Sequence, residues 1–200
     1  MGLLSTVAGT LDKWGYGSWK SMAFFVLVPV VGGSLSGLTM GDSVKTWYKT
    51  DLKKPSWTPP NWAFPVVWPT LYTLMGVASY RAFYFTPRAF RAVPMTLYGT
   101  QLVLNFLWSP VFFRWQRFGL ALVNLGSMIG TVAMTAVSFS QHDSLAGALL
   151  APYLAWISYA ASLNGYIWWH NPKFRLRKGH SAGAGGSTTK VNITLKPKSS

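Results

Sequence analysis

The sequence predicts an all-α protein, an integral membrane bundle of five transmembrane helices, and three observations predict it. Half of its 200 residues are hydrophobic and only 11% are charged, against about 25% charged in an average soluble domain. Mean hydropathy is +0.24. The apolar residues gather in uninterrupted windows at roughly 22–40, 63–85, 95–113, 119–140 and 145–169. Each approaches the ~20 residues that cross a ~30 Å hydrocarbon core at ~1.5 Å per residue. Backbone polar groups cannot go unpaired in lipid, and the windows far exceed the ~10-residue alternating strands of an outer-membrane barrel, so helices are predicted.

Residues 1–21 form an N-terminal extension. It lacks a basic start, a long apolar run and a small-residue cleavage site, so a removed signal peptide is not expected. Met1-Gly2-Leu3-Leu4-Ser5-Thr6 fits the short myristoylation pattern, which many unmodified chains also match. Residues 22–171 hold the membrane domain. Its first window contains Pro29 and the GxxxG spacing Gly33 to Gly37, which predicts close helix packing inside a bundle. The second contains Arg81, a formal charge about one turn from the window's end, expected to snorkel to the interface. The third contains Pro110, the fourth a second GxxxG at Gly126 and Gly130, and the fifth Pro152. Pro29, Pro110 and Pro152 predict kinks that leave room for a ligand. Trp14, Trp19, Trp168 and Trp169 sit near window ends, as interfacial belt residues do. From 172 to 200 the chain turns to Gly, Ser, Thr and Lys, which predicts a basic, disordered tail.

Lys and Arg outnumber Asp and Glu by 18 to 4, giving +14 with no glutamate anywhere. Such a balance points to anionic lipid or anionic ligands before nucleic acid. One side of the membrane collects Lys45, Lys49, Lys53 and Lys54 from the first loop, Arg114 and Arg117 from the third, and the basic tail. The other holds Lys13, Lys20, Arg88 and Arg91. The first side is therefore predicted to be cytosolic, with the C-terminus inside. The sequon Asn192-Ile193-Thr194 is then expected to stay unmodified.

The chain has no cysteine, which excludes disulfides, thiol catalysis, iron–sulfur clusters and Cys-ligated zinc. Asp12, Asp42, Asp51 and Asp143 all fall outside the windows, as do His142, His170 and His180. Proton-coupled transport, paired-carboxylate or His-dependent catalysis and an axial haem ligand all need groups that these windows lack. No catalytic residue, metal site or cofactor is predicted. The windows offer aromatic surface instead, from 11 Trp, 9 Tyr and 12 Phe in the chain. Gln101, Asn105, Trp108 and Phe112 follow four-three-four spacing, one stripe of a helix. Trp68, Tyr72, Met75 and Ser79 make a second stripe; Pro152, Trp156, Ala160 and Leu163 a third. Three such stripes predict a pocket for a flat or rigid lipophile, where stacking supplies affinity. Asn105 either bonds a neighbouring helix or orients the guest.

Lys54-Pro55-Ser56-Trp57-Thr58-Pro59-Pro60-Asn61-Trp62, followed by Val67-Trp68-Pro69-Thr70-Leu71-Tyr72-Thr73-Leu74-Met75-Gly76, closely resembles the signature of the translocator protein family. These are the tryptophan-rich sensory proteins once called peripheral benzodiazepine receptors. Gln101 to Phe113 and Pro152 to Trp156 resemble the family's third and fifth helices, and ordered matches run from about Pro29 to Asn171. The resemblance implies five tightly packed helices, often homodimeric, with a cavity open toward the cytosolic side beneath the first loop. It implies porphyrins such as protoporphyrin IX, sterols, and isoquinoline or benzodiazepine drugs as ligands. By position it places the pocket on Tyr48, Phe64, Pro65, Val67, Trp68, Asn105, Trp108, Trp156, Ala160 and Leu163. It favours the mitochondrial outer membrane, with endoplasmic reticulum or Golgi as alternatives.

Departures from the family are visible. The fifth-helix cholesterol motif of vertebrate members is replaced here by Leu163-Asn164-Gly165-Tyr166-Ile167-Trp168-Trp169, which removes the main sequence support for sterol binding. A third-helix GxxxG of mammalian members falls on Thr96 and Thr100. An acidic residue of some members is Asn124, which removes a charge from the expected pocket. The leading expectation is a tetrapyrrole receptor or carrier with lysines near the pocket mouth. Slow light- and oxygen-dependent porphyrin breakdown using Trp68 and Trp156 is the enzymatic alternative, and a membrane scaffold the non-catalytic one.

Overall fold

In hydrocarbon a helix satisfies its own backbone, and each apolar window folds that way. The computed structural model describes residues 2–38, 40–41 and 46–176. Lys45, Asp42, His180 and the Asn192 sequon lie outside the described residues. Helix α1 (Gly2–Trp14) precedes the long α2 (Trp19–Leu38); a short α3 (Trp47–Thr50) lies in the first loop. The bundle continues through α4 (Ala63–Phe85), α5 (Ala92–Ser109), α6 (Phe118–Ser140), a short α7 (Ser144–Ala148) and α8 (Ala151–His170), ending in α9 (Pro172–Leu176). The long helices α2, α4, α5, α6 and α8 overlap the predicted windows, with the ends of the third and fifth windows falling in a π-helical turn and in α7. Three segments are apolar and long enough to cross a membrane by composition: Trp19–Leu38, Phe118–Ser140 and Ser144–His170. Both α4 and α5 carry more Tyr, Thr and amide side chains, many of them turned inward.

The prolines behave unequally. Pro29 sits inside α2, whereas Pro110 marks the change from α5 to a π-helical turn, Pro110–Arg114. Pro152 does not kink a helix; it begins one, in the first turn of α8, where its missing N–H costs nothing. The window at 145–169 is accordingly two helices. The extension at 1–21 contains α1, and the segment after 172 starts with α9, whose Phe174 packs on Trp47 and Phe118 at 5.8 and 5.2 Å between ring centroids.

Around the bundle, α4 lies beside α2, α2 beside α5, α5 beside α6 and α6 beside α8; α8 and α4 meet least. The end nearest α1 is packed solid. Met75, Ala78, Ala82, Val132, Phe139, Ala146, Leu150 and Tyr153 are buried there. A Cβ on Gly76 would stand 2.5 Å from Val26 Cα, so glycine is what lets α4 touch α2. Gly15 and Gly17, at φ 76° and 86°, turn α1 back over this end. Leu11 joins Phe25, Tyr80 and Phe83, and Asp12 accepts from Arg91 Nη1 at 2.7 Å. Arg81 does not snorkel alone: its Nε and Nη2 donate to Asp143 Oδ2 and Oδ1 at 2.7 and 3.1 Å, joining α4 to the α6–α7 turn.

The two GxxxG motifs diverge. Gly33 faces inward, where any Cβ would overlap the Tyr72 ring, as close packing predicts. Gly126 and Gly130 face outward, with nothing near the position of a Cβ. Of the belt tryptophans, Trp14, Trp19 and Trp169 are exposed, while Trp168 is half-buried against Gly119.

Candidate functional site

Toward the other end the same helices draw apart around a cavity of about 470 Å3, within the range of small-molecule sites. Large rings hold them apart. Trp68 and Trp156 meet edge to face at 6.4 Å, Phe64 leans on Trp156 at 6.1 Å, and Trp108 stacks on Phe112 at 5.0 Å. Tyr48, Phe64, Pro65, Trp68, Asn105, Trp108, Trp156, Ala160 and Leu163 line the cavity, whereas Val67 does not: it packs against the hydrophobic core. The helical stripes explain the division. Their cavity-end members line the void, while Met75, Ser79 and Gln101, a turn or more deeper, are buried in the packed half.

Asn105 is committed to its neighbours. Its Oδ1 accepts from Tyr72 Oη at 2.9 Å and its Nδ2 donates to Tyr153 Oη at 2.8 Å, linking α4, α5 and α8 across the cavity floor. Tyr153 Oη also lies 3.2 Å from Met128 Sδ of α6. An amide held this way sets the rings around it, and both of its polar ends are already occupied. The indole nitrogens of Trp108 and Trp156 are buried and meet no acceptor among the described residues. Recognition in this cavity therefore falls to ring faces and shape, with these two unpaired indole N–H groups as the donors a guest could meet.

No carboxylate, histidine, lysine or arginine lines the void among the described residues. Asn124, expected in the pocket, stands outside the lining. Lys54 Nζ lies 4.7 Å from the ring centre of Tyr48, one of the lining residues. Burial raises the Tyr48 phenol above its ordinary pKa, so that ring stays neutral.

The first loop covers the mouth and is fastened to α8 and its C-terminal flank. Asn171 Oδ1 accepts from Lys53 N at 3.0 Å, while its Nδ2 donates to Lys53 O at 3.0 Å and to Ile167 O at 2.8 Å. Tyr159 Oη donates to Trp57 O, and Trp57 meets Tyr166 edge-on at 5.4 Å. Leu52 is buried in an aromatic cluster with Phe112, Phe113 and Phe118.

Sequence reasoning missed three parts of this site, one of them the wall that Leu125 and Met128 of α6 contribute. Helix α2 contributes Val30, Gly33, Ser34 and Gly37, which the GxxxG spacing signals as a close approach but not as a cavity wall. Asn171 gave no signal, because a lone amide after a helix has many uses.

The amino-acid sequence has relatives among known proteins. The TspO/MBR family profile matches residues 25–170. Translocator protein of Sus scrofa is 43% identical over 157 residues, covering 76% of this chain and 91% of that protein. Tryptophan-rich protein TspO of Archaeoglobus fulgidus is 40% identical over 152 residues, 74% and 95% of the two chains. Tryptophan-rich sensory protein of Cereibacter sphaeroides is 39% identical over 132 residues, 64% and 81%. With the profile spanning most of the chain and such relatives matched over 81–95% of their own length, this protein is an integral membrane member of the TspO/MBR family.

Proposed function

We propose that the protein is a membrane receptor or carrier for flat, rigid lipophiles, with tetrapyrroles such as protoporphyrin IX as the preferred class. The observation that carries this reading is the cavity itself: about 470 Å3, walled by Trp68, Trp108 and Trp156, without an ionised side chain among the described residues. A planar conjugated guest gains from ring faces about 0.5–1.5 kcal/mol per aromatic contact beyond the area it buries. Propionates of a porphyrin would lie toward Lys54 and Tyr48. In this reading all five long helices span the bilayer, the loop end faces the cytosol, and the membrane is that of an organelle, the mitochondrial outer membrane being favoured.

Titrating protoporphyrin IX into purified protein while following tryptophan quenching tests the proposal. The Trp68→Ala/Trp156→Ala double variant should bind at least about tenfold more weakly, a loss of ~1.4 kcal/mol or more. Equal binding by wild type and variant counts against the reading.

The edge-to-face contact of Trp68 and Trp156 favours one second reading, slow photo-oxidative breakdown of bound porphyrin. It needs no acid or base; light and oxygen acting on the guest supply the reactivity, and the indoles would hold it and pass electrons. Illumination under oxygen should then yield one defined product that the double variant does not make. An unselective mixture, as from porphyrin in detergent, rejects it.

A further inference from the structure

Helix α1 lies ahead of residues 25–170, the part of the chain that the family profile matches, so the family's shared architecture does not account for it. It is two-sided. Leu3, Val7, Leu11 and Trp14 recur at three- and four-residue steps and make one apolar stripe, with Ala8 beside it. Ser5, Gly9 and Asp12 run along the opposite side, flanked by Thr6 and Lys13. The bundle covers only part of the stripe. Leu11 is 4% exposed in its cluster with Phe25, Tyr80 and Phe83, and Val7 and Ala8 pack partly against that cluster. Toward the other end of the helix Leu3 is 80% exposed, and Trp14 is exposed as well.

The helix is nevertheless fixed in place. Tyr84 Oη donates to Leu11 O and Gly17 N donates to Tyr80 Oη, both at 2.5 Å. Asp12 lies 2.7 Å from Arg91 Nη1 and 3.3 Å from Arg88 Nε, at the turn between α4 and α5. A helix held this firmly cannot place its uncovered stripe independently of a bundle that sits in a membrane. Its surroundings have the character of a membrane boundary: Tyr16 and Trp19 are exposed beside Trp14, and Lys20 Nζ stands 5.9 Å from the Trp19 ring centre. Lys13 and Lys20 are exposed, and the acid of α1, Asp12, is already paired with arginines. The uncovered face is thus apolar on one flank and cationic on the other, which complements acyl chains beneath phosphates.

We infer that α1 is a phospholipid-binding surface helix: it lies along the bilayer at the packed end, with Leu3 and Trp14 at the boundary between headgroups and acyl chains, and Ser5, Gly9 and Lys13 turned to phosphate and water. Because Leu11 and Asp12 tie α1 to α2, α4 and the α4–α5 turn, this contact sets the height at which the packed end sits in the membrane. The inference does not depend on what the cavity holds.

The chain has no native cysteine, so Leu3→Cys and Gly9→Cys each give the full chain a single nitroxide spin label, in nanodiscs of phosphatidylcholine and phosphatidylglycerol. Neither label disturbs packing: Leu3 is exposed, and a Cβ on Gly9 meets nothing within 4 Å. Each label's collision rate with oxygen, which concentrates in hydrocarbon, is divided by its rate with a water-soluble nickel chelate. That ratio should be at least about tenfold higher at position 3 than at position 9. Equal ratios at the two positions overturn the inference, because α1 then stands in water or within the acyl region as a whole. A label at position 3 shielded from both reagents overturns it too, since protein, from a second copy or another segment, then covers the stripe in place of lipid.

Discussion

The two ends of the bundle are built from the same five long helices, yet one packs solid and the other encloses a guest-sized space. Side-chain size at facing positions makes the difference. In the packed half the contacts are made by Gly76, Ala78, Ala82, Ala146 and Gly147, and the helices touch. In the cavity half Trp68, Trp108 and Trp156 stand between them and prop them apart. Without a hydrophobic force between helices in lipid, small residues and interhelical bonds decide which surfaces close. Stability is thus concentrated at one end, and the capacity to bind at the other.

The sharpest way to break this comparison is to place the same large side chain at a closed and an open glycine. Gly76→Leu should prevent folding or cost more than about 3 kcal/mol, because its Cβ would meet the Val26 backbone. Gly126→Leu, where nothing stands near the new Cβ, should change the detergent melting temperature little. Next in size, Phe139→Ala should cost about 3–5 kcal/mol of stability, while Trp156→Ala, beside an existing void, should cost about 1–2 kcal/mol and show its loss in porphyrin binding. If both destabilise equally, the cavity half is no softer than the packed half.

A smaller effect tests the closed end by pH. Burial alone would raise the Asp143 carboxyl, but the hydrogen bonds and charge of Arg81, with backbone N–H groups of α7, hold it below its ordinary value. A carboxylate depressed in the folded state contributes fully above the unfolded value of about 3.9, and that contribution fades as pH falls through the lower folded value. Asp143→Asn should therefore lose about 1–2 kcal/mol at neutral pH and flatten the acid limb of a stability–pH curve. The smallest expected effect lies at the open end. Asn171→Ala should speed amide exchange across the first loop about tenfold, at a local cost near 1 kcal/mol, and leave exchange in the packed half unchanged.

Much of this was legible before any coordinates. Uninterrupted apolar windows located the long helices, though the fifth window merged α7 with α8, since lipid allows few other ways to satisfy a backbone. The period-3.6 stripes placed Trp68, Trp108 and Trp156 on inward faces. What they could not show is depth: Gln101 and Trp108 share a stripe, yet one is packed away and the other lines the void. Nor could they show partners. Arg81 and Asp143 are 62 positions apart, and Lys53 and Asn171 118 apart, so no local pattern connects them. Pro152 was misread because a proline that kinks a helix and one that starts it look alike until the preceding residues are placed.

Taken by itself, the amino-acid sequence determined that this chain lives in a membrane, that its spans are helices, and that their inner faces are aromatic and uncharged. Hydropathy and periodicity are local properties and survive any arrangement of the helices. Only the tertiary structure decided where those faces meet closely and where they stand apart, and that Asn105 is held between two tyrosines. Those outcomes depend on which glycine lies opposite which ring, a relation that exists between helices and in none of them alone.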